Sequence, residues 1–154
     1  MTNNDIFRQL RYIFDLKNTK VIQIFGMAEV TVSNEEVNAW LSKEEEPNFK
    51  SLHDKTFATF LNGFISLKRG KKEGEQPKPE KTLTNNLILR KLKIALELQY
   101  EDILEILMLA NFRLGKHELS AFFRKPTQSQ YRLCKDQVLR NFLHGLQKKY
   151  REQE

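Results

Sequence analysis

Three sets of side chains in this chain carry groups capable of chemistry. They are a lone Cys134, the histidines His53, His117 and His144, and the acidic run Glu44-Glu45-Glu46. Cys134 stands just ahead of a stretch that reads as a helix and is followed by Lys135. A helix N-terminus and a neighbouring cation both favour the thiolate, the nucleophilic form. A lone Cys also packs as a small hydrophobe, and its counterpart in the repeat described below is the apolar Leu52. The packed role is the expected one and the reactive role its alternative. A zinc centre draws about four nitrogen, sulfur or oxygen ligands at set spacings. The histidines fall in a loop, at a helix start and on a helix, with neither an H-E-x-x-H pattern nor a second Cys. They read as surface or structural residues. The glutamate run lacks the alternating ligands and turn glycine of a hard-cation loop and reads as solvated charge. The glycine-rich phosphate cradles and the serine-hydrolase elbow are absent. No catalytic, cofactor-binding or metal-ligating residue is therefore expected.

The remaining candidate is a basic helix face. Arg140, His144, Gln147, Lys148 and Arg151 recur at i, i+4, i+7, i+8 and i+11, the spacing of one side of a helix. Arg90, Lys91 and Lys93 are candidates to extend it, with Arg124, Lys125 and Arg132. Such a face can neutralise phosphates and release their counterions. A merely solvated face is the other reading.

The elements that must position these residues come in two copies. A shift of 82 residues lays Thr2-Asn3-Asn4 on Thr84-Asn85-Asn86 and Phe60-Leu61-Asn62-Gly63 on Phe142-Leu143-His144-Gly145. Between positions 2 and 70 the ungapped overlay holds 17 identities. Residues 1–70 and 82–154 are read as two copies of one module, joined by a solvated linker over 71–81 that is rich in charge, holds Gly74, Pro77 and Pro79, and has no apolar side chain of the core type. Residues 1–70 carry nine Lys/Arg and nine Asp/Glu; residues 82–154 carry thirteen and eight. Most of the net +6 therefore belongs to the second copy.

Each copy reads as four helices. In the first, Thr2 or Asn3 caps a helix to about Leu16, and a second runs from Lys20 to Met27. Ser33-Asn34-Glu35-Glu36 is a capping box, flanked by Val32 and Val37 as a hydrophobic staple. The last helix runs from Asp54 to a left-handed cap at Gly70. In the second copy the helices span Thr84 to Leu98, Glu101 to Leu109, Lys116 to Phe123 and Asp136 to Tyr150. The last is expected to bury Leu139, Phe142, Leu143, Leu146 and Tyr150 on one stripe. Gly63 and Gly145 lie inside the last helix of each copy, where glycine costs about 1 kcal/mol relative to alanine. Close helix approach is the expected compensation, and backbone exposed to a ligand the alternative. The fold class is all-α: two tandem copies of a roughly four-helix module, expected to pack into one compact pseudo-two-fold unit.

Several stretches together resemble a known bacterial family. They are the Asn3-Asn4-Asp5-Ile6 opening, Trp40-Leu41 followed by Lys43-Glu44, the stretch from Phe60-Leu61-Asn62-Gly63 to Lys68-Arg69-Gly70, and Cys134-x-Asp136-Gln137-x-Leu139-Arg140-x-Phe142-Leu143-x-Gly145. This combination is similar to the YehS-like family, a domain of unknown function usually present as two tandem copies. The resemblance spans nearly the whole chain and implies a bacterial cytosolic protein, with no reaction, cofactor or catalytic residue attached. Some members carry a Cys where this chain has Leu52, so a paired-cysteine role finds no support here.

Composition and charge bound the function. No run approaches the ~18–20 apolar residues of a membrane span. The polar opening Met1-Thr2-Asn3-Asn4-Asp5 does not look like a signal peptide, and one Cys suits a reducing cytosol. A non-catalytic binding or adaptor protein is expected, with a protein partner first and nucleic acid, through the second copy's basic face, as the alternative. An enzyme built on Cys134 or an acidic cluster is the least expected reading.

Overall fold

The helix starts follow capping chemistry that is legible in the chain. Thr2 Oγ1 accepts from the Asp5 N–H at 3.1 Å while the Asp5 carboxylate accepts from the Thr2 N–H at 3.0 Å. Ser33 and Glu36 repeat this reciprocal box at 3.1 and 3.0 Å, satisfying donors that a helix start leaves orphaned. A computed structural model describes residues 1–152. In it the helices are α1 (Asn3–Ile13), α2 (Asn18–Met27), α3 (Asn34–Leu41), α4 (Asp54–Arg69), α5 (Asn85–Ala95), α6 (Tyr100–Leu109), α7 (Lys116–Ala121) and α8 (Asp136–Leu146), followed by a π-helical turn (Gln147–Arg151). Among the described residues there is no strand; the class is all-α.

The chain divides into two compact units, Met1–Leu83 and Thr84 onward. In the first, α2 packs on α4 and on α3, while α1 packs on α3 and α4. In the second, α6 packs on α8 and α7, and α5 on α8. The buried positions correspond but their chemistry differs. Phe7, Phe25, Phe57 and Phe64 are buried in the first unit where Leu89, Leu107, Leu139 and Leu146 are buried in the second. Phe7 stands edge-on to Phe60 at 4.9 Å, and Phe25 lies 5.5 Å from Trp40. The first core is thus richer in aromatic rings, while among the described residues the second keeps only Phe122 and Phe142 with its aliphatic side chains, on the same frame.

α1 and α5 end sooner than their apolar periodicity suggests, while α2 and α6 end at Met27 and Leu109 as expected. α1 stops at Ile13 rather than Leu16, and α5 at Ala95 rather than Leu98. At each end a non-glycine residue takes positive φ: Asp15 (51°) after α1, Glu29 (64°) after α2, Glu97 (54°) after α5 and Asn111 (57°) after α6. The next residue donates back to the helix: Leu16 to Arg11 O, Val30 to Phe25 O, Leu98 to Lys93 O and Phe112 to Leu107 O. These are Schellman closures. Leu16 and Leu98 keep their burial by folding back over the helix end, not by extending it.

Gly70 ends α4 at φ 92°, ψ 145°. Its φ suits glycine, but its ψ is extended and not left-handed helical, so the expected cap form is replaced by an exit into the connecting segment. That segment is mostly exposed, yet Gln76, Pro79 and Glu80 are partly covered. Lys71 lies 3.5 Å from Glu29. The Leu83 N–H donates to Asp54 Oδ2 at 2.9 Å, so the segment leaves one end of α4 and returns to the other.

Candidate functional site

The frame that holds the second unit's surface is built on asparagine. Asn86, buried in α5, donates from Nδ2 to Phe122 O at 3.0 Å and to Arg132 O at 2.8 Å. Its Oδ1 accepts from the Cys134 N–H at 2.9 Å. Asn4 makes the same three bonds, to Trp40 O, Lys50 O and the Leu52 N–H, each at 2.9 Å. The preceding asparagines also correspond. Asn3 reaches Leu52 O and Asp54, and Asn85 reaches Cys134 O and Asp136. The Asn-Asn pair therefore ties the first helix of each unit to the loop that launches the last. In the sequence these asparagines mark only a helix start and the repeat, and their backbone partners, 48 residues away at Leu52 and Cys134, carry no signal of the contact.

This frame settles where Cys134 lies. It is 4 % exposed, and its thiol pKa is pushed up to about 12, first by burial and then by the Asp136 charge. The helix N-terminus and Lys135 do not offset the loss of hydration. Asp136 itself is held below the usual carboxylate range by the Asn85 amide. Glu46 of the acidic run accepts from the Lys43 N–H at 2.8 Å, as Gln128 does from Lys125 in the second unit; it closes a turn. His53, His117 and His144 are exposed on different elements. Among the described residues no three His, Cys, Asp or Glu side chains stand together as a metal ion would need.

Gly63 and Gly145 are contact points between helices. A Cβ on Gly63 would lie 2.0 Å from Ile24 O, and one on Gly145 2.0 Å from Ile106 O. The backbones of α2 and α4, and of α6 and α8, meet there with no room for a methyl group.

The basic face is placed as follows. Arg140 and His144 are exposed on α8, while Gln147, Lys148 and Arg151 lie in the π turn, with Gln147 half-buried. In that turn the Glu152 N–H donates to Gln147 O at 3.0 Å, an i→i+5 bond. The wider turn advances less per residue than an α-helix. The spacing read from the sequence thus holds from Arg140 to His144 and drifts beyond Leu146. The same drift leaves Tyr150 at 39 % exposure instead of on the buried stripe. Of the added cations, Arg124, Lys125 and Arg132 are exposed. Lys91 is 8 % exposed and so is not on the surface. Lys93 Nζ lies over the Tyr100 ring at 5.3 Å and the Phe123 ring at 5.9 Å. Arg90 donates to Phe123 O at 2.7 Å.

Charge in the second unit is segregated along the chain. Residues 119–151 carry eight Lys/Arg against one acid, Asp136; residues 37–69 carry five against four. Residues 97–105 carry four acids and no cation, whereas residues 15–23 carry one acid and two cations. The counterpart of Arg140 in the first unit, Ala58, is buried. Among the described residues no helix is long and apolar enough to cross a membrane.

Comparison with known proteins fits this two-unit frame. No solved structure matches the chain. An uncharacterized protein of Escherichia coli (strain K12), YehS, is 41% identical over 147 residues, covering 95% of this chain and 94% of that one. The model of a family described as a protein of unknown function, DUF1456, matches twice, over residues 3–70 and 85–152. On a double match that takes in both asparagine clamps and both helix-contact glycines, the chain belongs to the DUF1456 family.

Proposed function

We propose that the chain is a non-catalytic binding or adaptor protein of the cytosol, and that its second unit meets the partner. What carries this reading is the contrast between a repeated internal frame and an unrepeated exposed surface. The clamps and close helix contacts recur, while exposed charge does not. Of the groups capable of chemistry, Cys134 is buried and Glu46 closes a turn, while the three histidines are exposed on different elements. A protein partner is supported by Met108, Leu109 and Leu133, which are exposed where the first unit has Gly26, Met27 and Ser51. Exposed apolar side chains specific to one copy suit a contact surface. Affinity capture from a bacterial lysate, with and without nuclease, tests this. Partners retained after nuclease are expected; capture that empties on nuclease treatment overturns the protein-partner reading.

The eight-to-one cation excess over residues 119–151 favours a second reading, nucleic acid on the exposed cations of the second unit. Affinity should then fall steeply with salt. Replacing Arg140 and Lys148 together by alanine should flatten that salt dependence by about two contacts. Binding that is indifferent to salt and to both substitutions rejects it.

A further inference from the structure

Two coordinated changes distinguish the neighbourhood of α5, α6 and α7 from its counterpart in the first unit. In the first unit, Arg8 is paired with the Asp5 carboxylate, and Asn18 donates to Asn34 and Asn38, both at 2.8 Å, tying α2 to α3. In the second unit, Leu87 stands where Asp5 does, so Arg90 has no carboxylate at that position. Tyr100 stands where Asn18 does, and Phe123 where Leu41 does. The two rings stack with centroids 5.4 Å apart and planes 24° from parallel. Both side chains are half-buried and Lys93 lies against them; the exposed Arg90 donates to Phe123 O at 2.7 Å, and the exposed Arg124 follows Phe123 in the chain. Beside α5 an acid has been removed and two cations retained, Arg124 replaces Ser42, and two rings stand in place of Asn18 and Leu41; at the start of α6, Glu101 and Asp102 replace Thr19 and Lys20, with Glu101 paired to Lys116 at 3.0 Å.

We propose that Tyr100 and Phe123, with Lys93, Arg90 and Arg124, form a platform on which a base of single-stranded nucleic acid stacks while the cations hold its phosphates. Every base offers a π-face, and aromatic side chains beside cations are how sequence-tolerant single-strand binding is built. Bases inside a duplex are already stacked, so the platform discriminates between strand states, which a band of cations alone does not do. The inference rests on the nucleic-acid reading above and narrows it to single strands.

The test uses the full chain with fluorescein-labelled 12-mers of oligo(dT) and oligo(U) and a duplex of equal length, at low salt. The double variant Tyr100→Asn, Phe123→Leu installs the residues the first unit already accommodates on the same frame. Its single-strand affinity should fall about five- to 150-fold, the range of about 1–3 kcal/mol per stacked base. Duplex affinity and the salt slope should stay unchanged, since no cation is removed. Unchanged single-strand affinity overturns the platform and leaves the nucleic-acid reading standing; failure of the unaltered protein to bind either form overturns both. Should the double variant unfold, photocrosslinking of 5-iodouracil-substituted oligonucleotide to the unaltered protein decides. Crosslinks on Tyr100 or Phe123 are expected, and crosslinks confined to α8 overturn the proposal.

Discussion

Asn4 and Asn86 each commit a whole amide side chain to three main-chain groups in the interior. Removing it strands two carbonyls and one N–H, and leaving a buried polar group unpaired costs roughly 1–3 kcal/mol. Asn86→Ala is therefore expected to destabilise by about 3 kcal/mol or more in urea unfolding, and Asn4→Ala by a similar amount. A loss under about 1 kcal/mol would mean that water replaces the clamp. At Cys134 the pH dependence has a defined sign. The unfolded thiol ionises near 9, while the folded one keeps its proton to about 12. Below 9 the group contributes no slope; from there to about 12 the folded state loses stability as pH rises, by up to about 1.4 kcal/mol per unit. Urea midpoints between pH 8 and 10.5 should fall more steeply for the unaltered protein than for Cys134→Ala. At neutral pH the thiol should react with Ellman's reagent only as fast as the protein opens. The apolar Leu52 in the matching position already pointed to a packed Cys134. The asparagine clamp was less legible, because a helix-start asparagine has a sufficient local explanation and its distant backbone partners leave no pattern of their own.

At the scale of elements, the two glycine contacts and the four helix ends make opposite predictions. Gly63→Ala and Gly145→Ala ought to gain about 1 kcal/mol from helix propensity. The overlap with Ile24 O or Ile106 O should reverse that, for a net loss of about 1–3 kcal/mol as the helices are forced apart. A stabilised alanine variant would show that the helices part without cost. The left-handed ends offer gains. Glu29→Gly relieves a side chain held at φ 64° and should raise stability by a few tenths to about 1 kcal/mol in thermal or urea unfolding. Asn111→Gly should change little, because asparagine tolerates that conformation. The Ser33–Glu36 capping box, the buried stripes short of Tyr150 and the role of the glycines were legible, since each depends on neighbours within a turn or on the repeat. The Schellman ends were not, because Asp15, Glu29 and Glu97 lack the glycine that normally announces one. The π turn was equally silent: Gln147 to Arg151 contains no residue that breaks an α-helix, and its widening displaced Tyr150 and three of the five residues of the basic face from the expected register.

For the molecule as a whole, duplication preserved one frame while its surfaces separated. Arg140 and Lys148 are exposed. Their joint replacement by alanine should leave unfolding stability within about 0.5 kcal/mol per site while any polyanion binding declines. The equivalent first-unit residues, Ala58 and Ser66, offer no such lever. The all-helical class and the tandem repeat were visible in the 82-residue overlay; which cations reach solvent was not, since burial of Lys91 and the seating of Lys93 depend on packing between helices. The clamp carries one more implication. Its asparagines grip carbonyls and an amide N–H of residues 40, 50 and 52, and of 122, 132 and 134, never their side chains. The clamp itself places no demand on those side chains, as the exposed Lys50 and Arg132 illustrate; at positions 40, 52, 122 and 134 it is burial, not the clamp, that keeps them apolar. The joint is thus blind to identity at the places it fastens. Such a joint lets a lineage rewrite the loop and helix surfaces of one unit while the architecture stays fixed, and it makes those same loops natural sites for grafting new recognition sequences.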